Sequence, residues 1–288
     1  MRSVRPAAVA GSWYPGSRAA LTAAVDGYLA AAAAADAPGE LTDLVALVAP
    51  HAGLIYSGPV AAHAYRQLRQ RAVDVAVIVG PSHFVAFDGV SVYRGGGFET
   101  PLGIAVIDDE CAAALVEATP LVGEHPAAHA REHSLEMQLP FLQHVAPRTK
   151  IVPLVMGRQT AETARCLGDA LGDVLRGRKA LLIASTDLSH YHDAATAARL
   201  DAVVVDHVSR FDPDGLQHAL DARPEHACGG GPTVAVMRAA HHLGARDAVV
   251  LKYADSGDVS GDKSAVVGYL AAALGNFAFH GEKPPGTR

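Results

Sequence analysis

Three apolar runs in this chain each end on a residue that can bind a metal or move a proton. Val45-Ala46-Leu47-Val48-Ala49-Pro50 runs into His51. Val75-Ala76-Val77-Ile78-Val79-Gly80-Pro81-Ser82 runs into His83. Leu181-Leu182-Ile183-Ala184-Ser185-Thr186 runs into Asp187, with His190 three residues on. Short β-rich apolar runs closed by Gly, Pro or Ser read as buried strands. In open α/β sheets, ligands bind beyond the carboxyl ends of the strands. The pattern therefore predicts that residues far apart in sequence meet at one sheet edge and form a reactive pocket there.

Helical and strand patterns alternate along the rest of the chain. Helices are expected over Ser17–Ala35, with Ser17 as N-cap, and over Ser57–Arg69, with Ser57 as N-cap and Pro59 in the first turn. Further helices are expected over Asp108–Ala118, Thr160–Leu175, Ala194–Arg210, Pro213–Leu220 and Pro232–Leu243. His133–Val145 reads as a helix that Pro140 kinks or restarts. Strands are expected over Asp43–Ala49, Asp74–Gly80, Gly89–Tyr93, Ile104–Ile107, Lys150–Val155, Lys179–Ala184, Asp247–Tyr253 and Ala265–Leu274. This alternation predicts an α/β layered fold around a mixed, largely parallel central sheet flanked by helices. The polar stretch Gly123–Arg131 is too short for an interdomain linker, so residues 1–280 read as one domain. Residues 281–288, with Pro284, Pro285 and Gly286, read as a flexible tail.

Half of the 288 residues are hydrophobic and 19% are charged, enough for a sizeable core. The formal net charge of −6, without a Lys/Arg cluster, argues against nucleic acid as a partner. Three cysteines, Cys111, Cys166 and Cys228, with no CxxC pair, fit a reducing cytoplasm better than a disulfide framework. Met1 to Pro15 lacks the long apolar core of a signal peptide, and Ala30–Ala35 is too short to span a bilayer. A cytoplasmic protein with no membrane partner is the expectation.

Among the cysteines, Cys228 is the informative one. It lies in Ala227-Cys228-Gly229-Gly230-Gly231-Pro232, directly before an expected helix, and a helix N-terminus favours the thiolate. A buried, inert thiol is the competing explanation, and the three glycines also admit an anion nest. Cys111 and Cys166 sit within amphipathic helices, where a small buried hydrophobe suffices. His51 and His83 are set among small residues, which leaves room beside each ring. Two imidazoles and one thiolate make a three-ligand site with an open position, a pattern that suits a catalytic metal. Iron, copper and zinc all accept such a set. Asp187 and His190 form a polar cluster in which the Asp orients the His and the His transfers protons; a loop that caps the next helix is the alternative. Helical spacing would put His133 and Glu136 on one face, although an ordinary helix start explains them equally well. The acidic loop Asp255–Asp262 lacks the Glu of a calcium loop at position twelve and reads as turns.

Taken in order, Ala10-Gly11-Ser12-Trp13-Tyr14, Ala49-Pro50-His51-Ala52-Gly53, Gly80-Pro81-Ser82-His83, Glu132-His133-Ser134-Leu135-Glu136-Met137, Ser185-Thr186-Asp187-Leu188-Ser189-His190, Cys228-Gly229 and Tyr253-Ala254 resemble the Memo family, also labelled AmmeMemoRadiSam system protein B in microbes. The resemblance spans Ala10 to about Leu274. It implies a class III extradiol dioxygenase-like fold of one α/β domain. It implies a metal, iron or copper with zinc as the alternative, held by His51, His83 and Cys228, with His190 and Asp187 as catalytic groups. His133, Glu136, Trp13 and Tyr14 would then line the pocket or support it. The implied activity is dioxygenase-like non-haem redox chemistry on a small molecule of unknown identity. A non-catalytic binding or adaptor role and a zinc-dependent hydrolase are the rivals. A radical-SAM protein from the same gene neighbourhood is the implied protein partner. Two features set this chain apart. Cys228 stands where a dioxygenase of this class carries a carboxylate, and Gly230 and Gly231 stand where better-known animal members carry bulkier, basic residues.

Overall fold

The computed structural model describes residues 4–33 and 40–278. The expected tail 281–288 and the last two residues of the expected helix Ser17–Ala35 lie outside the described residues.

The frame is a mixed sheet whose centre is four parallel strands: β2 (Glu40–Ala49), β9 (Ala180–Ser185), β3 (Val75–Pro81) and β8 (Lys150–Met156), in that spatial order. All seven residues of β3 are buried, as expected for a strand covered on both faces. Alternation then sorts them. Val75, Val77 and Val79 join one core, while Ala76 and Ile78 join the other. Beyond β8 come β4 (Val90–Val92), antiparallel to it, and β7 (Val122–Gly123). Beyond β2 the chain adds the long antiparallel β12 (Val266–Ala278), which pairs with β11 (Asp247–Asp255) and with β10 (His190–His192). A separate three-stranded sheet is built from β1 (Val4–Arg5), β5 (Gly97–Thr100) and β6 (Gly103–Val106). The expected mixed α/β architecture is thus what the chain adopts, with parallel pairing concentrated in the centre.

Helices cover both faces of the large sheet. α1 (Arg18–Ala32), α2 (Leu54–Arg66) and α5 (Leu139–Val145) contribute Leu21, Val25, Leu29, Val60, Tyr65 and Phe141 to one core. α3 (Asp109–Ala118), α6 (Ala161–Val174), α7 (Ala194–Ser209), α8 (Pro213–Ala222) and α9 (Gly230–His242) supply the other. Two short helices, α4 (Pro126–Ala130) and α10 (Gly257–Ser260), occupy stretches expected to be irregular. Ser17, Asp108, Thr160, Asp193 and Asp212 each accept a hydrogen bond from an amide in the first turn of the helix they precede.

Two expected helix starts differ. The helix placed at Ser57 begins at Leu54, with Gly53 as N-cap, so Pro59 lies inside it rather than in its first turn. The Leu54 amide is satisfied by the Trp13 carbonyl at 2.8 Å, and the Ser57 hydroxyl donates to the Ala52 carbonyl instead of capping. The stretch His133–Leu135 is not α-helical. A 3-10 turn at Glu136–Gln138 leads into α5, where Pro140 sits in the first turn, so Pro140 marks a restart.

Candidate metal centre

The parallel strands end at one level, because Ala49 pairs with Ser185 and Val79 with Ala184. The residues that follow these ends, His51, His83 and Asp187, therefore share the carboxyl edge of the sheet. Cys228 arrives there from the N-terminal side of α9. One ligand atom from each of His51, His83 and Cys228 falls in a group whose members all lie within 4.8 Å of one another. Sγ of Cys228 is 3.3 Å from Nε2 of His51.

The glycine turn explains this approach. A Cβ on Gly229 would collide with the Ser185 carbonyl oxygen, one on Gly230 with the side chain of Leu220, and one on Gly231 with Gln159 and Met156. Small residues let the start of α9 press against the end of β9 and carry the thiol to His51. The amides of Gly229 and Gly231 are already taken, by Thr186 Oγ1 at 3.0 Å and Gln159 Oε1 at 2.7 Å. An anion nest is therefore not what the glycines provide. A cavity of about 300 Å³ opens beside Cys228, bounded by Gly157, Gln159, Leu220 and Asp221. A larger one, about 430 Å³, lies at the opposite ends of the same strands, near Asp43 and Lys179, away from these residues.

Hydrogen-bond accounting fixes how both rings present themselves. The Ser185 hydroxyl lies 2.6 Å from the Ser134 carbonyl, which can only accept, so its single proton goes there. Gln138 Nε2 donates to the Pro50 carbonyl at 3.0 Å and to Ser185 Oγ at 2.7 Å, and its Oε1 accepts from Tyr65. His51 Nδ1, 2.9 Å from Ser185 Oγ, must therefore carry a proton, which leaves a lone pair on Nε2 facing Cys228. His83 Nδ1 lies 2.8 Å from Glu132 Oε1, so it too donates and leaves Nε2 free. His51 is fully buried, whereas His83 is open to solvent. Burial keeps the rings of His51 and His133 neutral near pH 7. Burial, and then the neighbouring His83 and His133, hold His51 well below the usual imidazole range. Burial likewise depresses His133, to about 4. Cys228 keeps some exposed surface as a residue, yet its sulfur sits among protein atoms. Burial, and then the charge of Asp187, push its thiol pKa up.

Asp187 is placed differently from the expected Asp–His pair. Its Oδ1 accepts from the amides of His51, at 2.7 Å, and Ala52, at 3.3 Å, so it fixes the backbone that carries the His51 ring. Burial pushes its pKa up to about 7, against those two hydrogen bonds. It is not among the residues grouped closely enough to hold a metal. His190 instead donates from Nδ1 to the Leu188 carbonyl at 2.8 Å, which leaves its Nε2 as an acceptor. His133 stacks on His83, with centroids 4.5 Å apart, and packs against Trp13 at 4.3 Å. Trp13 and Phe84 are partly exposed beside these rings, so they form part of the pocket rim.

Glu136 and Tyr14 lie elsewhere. The Glu136 carboxylate accepts from Arg5 at 2.6 Å, Tyr14 at 2.7 Å and the amides of Ala8 and Val9, in a buried knot that ties down the N-terminal segment. The residue that matters locally is its neighbour Glu132, to which sequence reasoning assigned no role. A second group that could hold a metal, His83, Glu132 and His133, shares one ring with the first. The Glu132 oxygens, however, are already occupied by His83 and by the amides of His83, His133 and Ser134. Glu132 lies in an irregular stretch where no periodicity marks it. The only available signal was an acid adjacent to His133.

A family model described as Memo-like protein matches residues 5–273. A MEMO1 family protein of Methanothermobacter thermautotrophicus is 38% identical over 92% of this chain and 98% of its own length. One from Ignicoccus hospitalis is 40% identical over 93% of this chain and 97% of its own. Among solved structures, an uncharacterized protein of Escherichia coli K12 superposes with a TM-score of 0.54 at 14% identity, covering 81% of this chain and all of that one. That last likeness is one of fold.

Proposed function

The chain belongs to the Memo family, and from that premise we propose that it is a metal-dependent redox enzyme whose metal is held by His51, His83 and Cys228. The observation that carries the proposal is the convergence of two bare imidazole nitrogens and one thiol at the sheet edge. The donor set fits a cation. Without one, the buried thiol resists ionisation; with one, a coordinating thiol is deprotonated outright. Three protein ligands leave a position open for substrate or solvent, and the exposed side of His83 gives a route to it. Imidazole and thiolate together accept iron, copper or zinc; iron or copper is the redox reading, with zinc as the non-redox alternative.

The metal supplies Lewis acidity and, if it is iron or copper, electron transfer. The chain's own residues do the remaining work. Asp187 holds the His51–Ala52 backbone in place. His190, which burial keeps below the usual imidazole pKa, is neutral and accepts a proton at Nε2. His133 and Trp13 pack in series along one side of the His83 ring and hold it from that side. Protein purified anaerobically without added metal should contain close to one iron or copper per chain, and Cys228→Ala should lose at least about tenfold in metal affinity. Full stoichiometric metal in Cys228→Ala would remove Cys228 from the ligand set. Colourless, zinc-loaded wild type that consumes no oxygen would favour the hydrolase reading. Metal-free protein that still forms stable complexes after His51→Ala and His83→Ala would favour an adaptor.

A further inference from the structure

His83 is the exposed ligand. It lies just past the end of β3, and its side chain keeps 28% of its surface accessible. A ring in such a position has other rotamers open to it, which turn Nε2 away from His51 and Cys228, and a second tautomer, which puts a proton on Nε2 and blocks its lone pair. One carboxylate removes that freedom. Glu132 Oε1 accepts from His83 Nδ1 at 2.8 Å while Oε2 accepts from the His83 backbone amide at 2.6 Å. The same residue thus holds both the backbone and the far side of the ring.

Glu132 is itself immobilised. Its side chain is 1% exposed, and its Oε1 also accepts from the amides of His133 and Ser134 at 2.9 Å each. Arg5 grips its main-chain carbonyl and is anchored in turn by Glu136. His51 is held otherwise, by the neutral Ser185–Gln138 relay. The two imidazoles therefore differ in their support: a carboxylate stands behind the exposed ring and a hydroxyl behind the buried one. A carboxylate behind an imidazole fixes its tautomer and raises its basicity as a ligand.

We propose that Glu132 is the positioning residue for His83, locking its Nδ1–H tautomer and aiming its Nε2 at the metal, rather than a ligand in a second site. The inference rests on the metal-centre reading above. Glu132→Gln keeps the size but supplies an NH2 where one of the carboxylate oxygens accepted protons. Nitrogen-15 NMR of the metal-free proteins reports the tautomer of each histidine, and titration with cobalt(II) reports affinity together with the thiolate-to-metal absorption band. Wild type should show His83 protonated on Nδ1. Glu132→Gln should show a tautomer mixture at His83, an unchanged His51, and cobalt(II) affinity reduced by roughly 10- to 100-fold. In a His83→Ala background, Glu132→Gln should change the residual affinity by less than about twofold, since the ring it serves is gone. An unchanged His83 tautomer with unchanged affinity would overturn the inference alone. An equal loss in the His83→Ala background would also overturn it, by showing that Glu132 acts through the fold. Wild type that binds no cobalt(II) and shows no thiolate band would instead overturn the metal reading on which it stands.

Discussion

At the scale of single residues, burial keeps several imidazoles of this fold uncharged. His129 and His133 are held at about 4, His51 and His190 are shifted downwards, and burial is the leading cause for all four. His129 and His133 are neutral in the fold and protonated in the unfolded chain between about pH 4 and 6.5, and His51 and His190 are shifted in the same direction. The unfolded state therefore binds more protons in that window, and stability falls as pH falls through it. Burial opposes the charge of Glu132, but hydrogen bonds from His83 and from the His83 and Ser134 amides hold its pKa down, at about 2. Its contribution is present above about pH 4.5 and is lost below that. Asp187 works the other way. With its pKa pushed up to about 7, it binds a proton in the fold that the unfolded chain has released, so its contribution is lost as pH rises towards 7. His63 is shifted down and Asp201 up in the same ways, so five histidines stand against two aspartates and predict that the urea midpoint of the metal-free protein drops between about pH 6.5 and pH 4.5. A midpoint that rises on acidification would mean that Asp187 and Asp201 outweigh the histidines.

At the scale of elements, the N-terminal segment is held by one buried carboxylate. Glu136 pairs with Arg5, both nearly inaccessible, and accepts from Ala8, Val9 and Tyr14 as well. That segment places Trp13, the chain's single tryptophan, against His133. Breaking a buried ion pair by removing one partner's charge typically costs about 3–5 kcal/mol. Glu136→Gln should therefore free the segment, shift tryptophan emission to longer wavelength and speed hydrogen exchange at the Ala8 and Val9 amides. Unchanged emission and exchange would show that packing alone holds it. This role was not legible from spacing. The three-residue interval from His133 to Glu136 suggests one helical face, but His133–Leu135 is not α-helical, and the two side chains serve different clusters. The start of α2 was misread for a related reason. Ser57 and Pro59 carry a helix-start signature, yet the Trp13 carbonyl, 41 residues away in sequence, satisfies the Leu54 amide and lets the helix begin earlier.

At the scale of the whole molecule, strand ends were the legible part. His51 and His83 follow buried runs whose length and β-branched content mark strands, and parallel pairing then puts their ends side by side. Cys228 was legible as a thiol at a helix start, although the glycines beside it serve close packing rather than anion binding. Strand direction at the sheet's flank was not legible, because β12 is as apolar as a parallel strand and only the tertiary pairing makes it antiparallel. Glu132 escaped for a similar reason: its partners, His83 and Ser134, are fixed by the fold rather than by any repeat. No helix among the described residues is long and apolar enough to cross a membrane. What the assembled edge offers is one thiol and two imidazoles close enough together to hold a metal. X-ray absorption spectroscopy on metal-loaded protein tests that claim most directly. Metal-loaded protein should show one sulfur scatterer, at about 2.3 Å if the metal is zinc, and two imidazoles. A first shell of nitrogen and oxygen with no sulfur would contradict it.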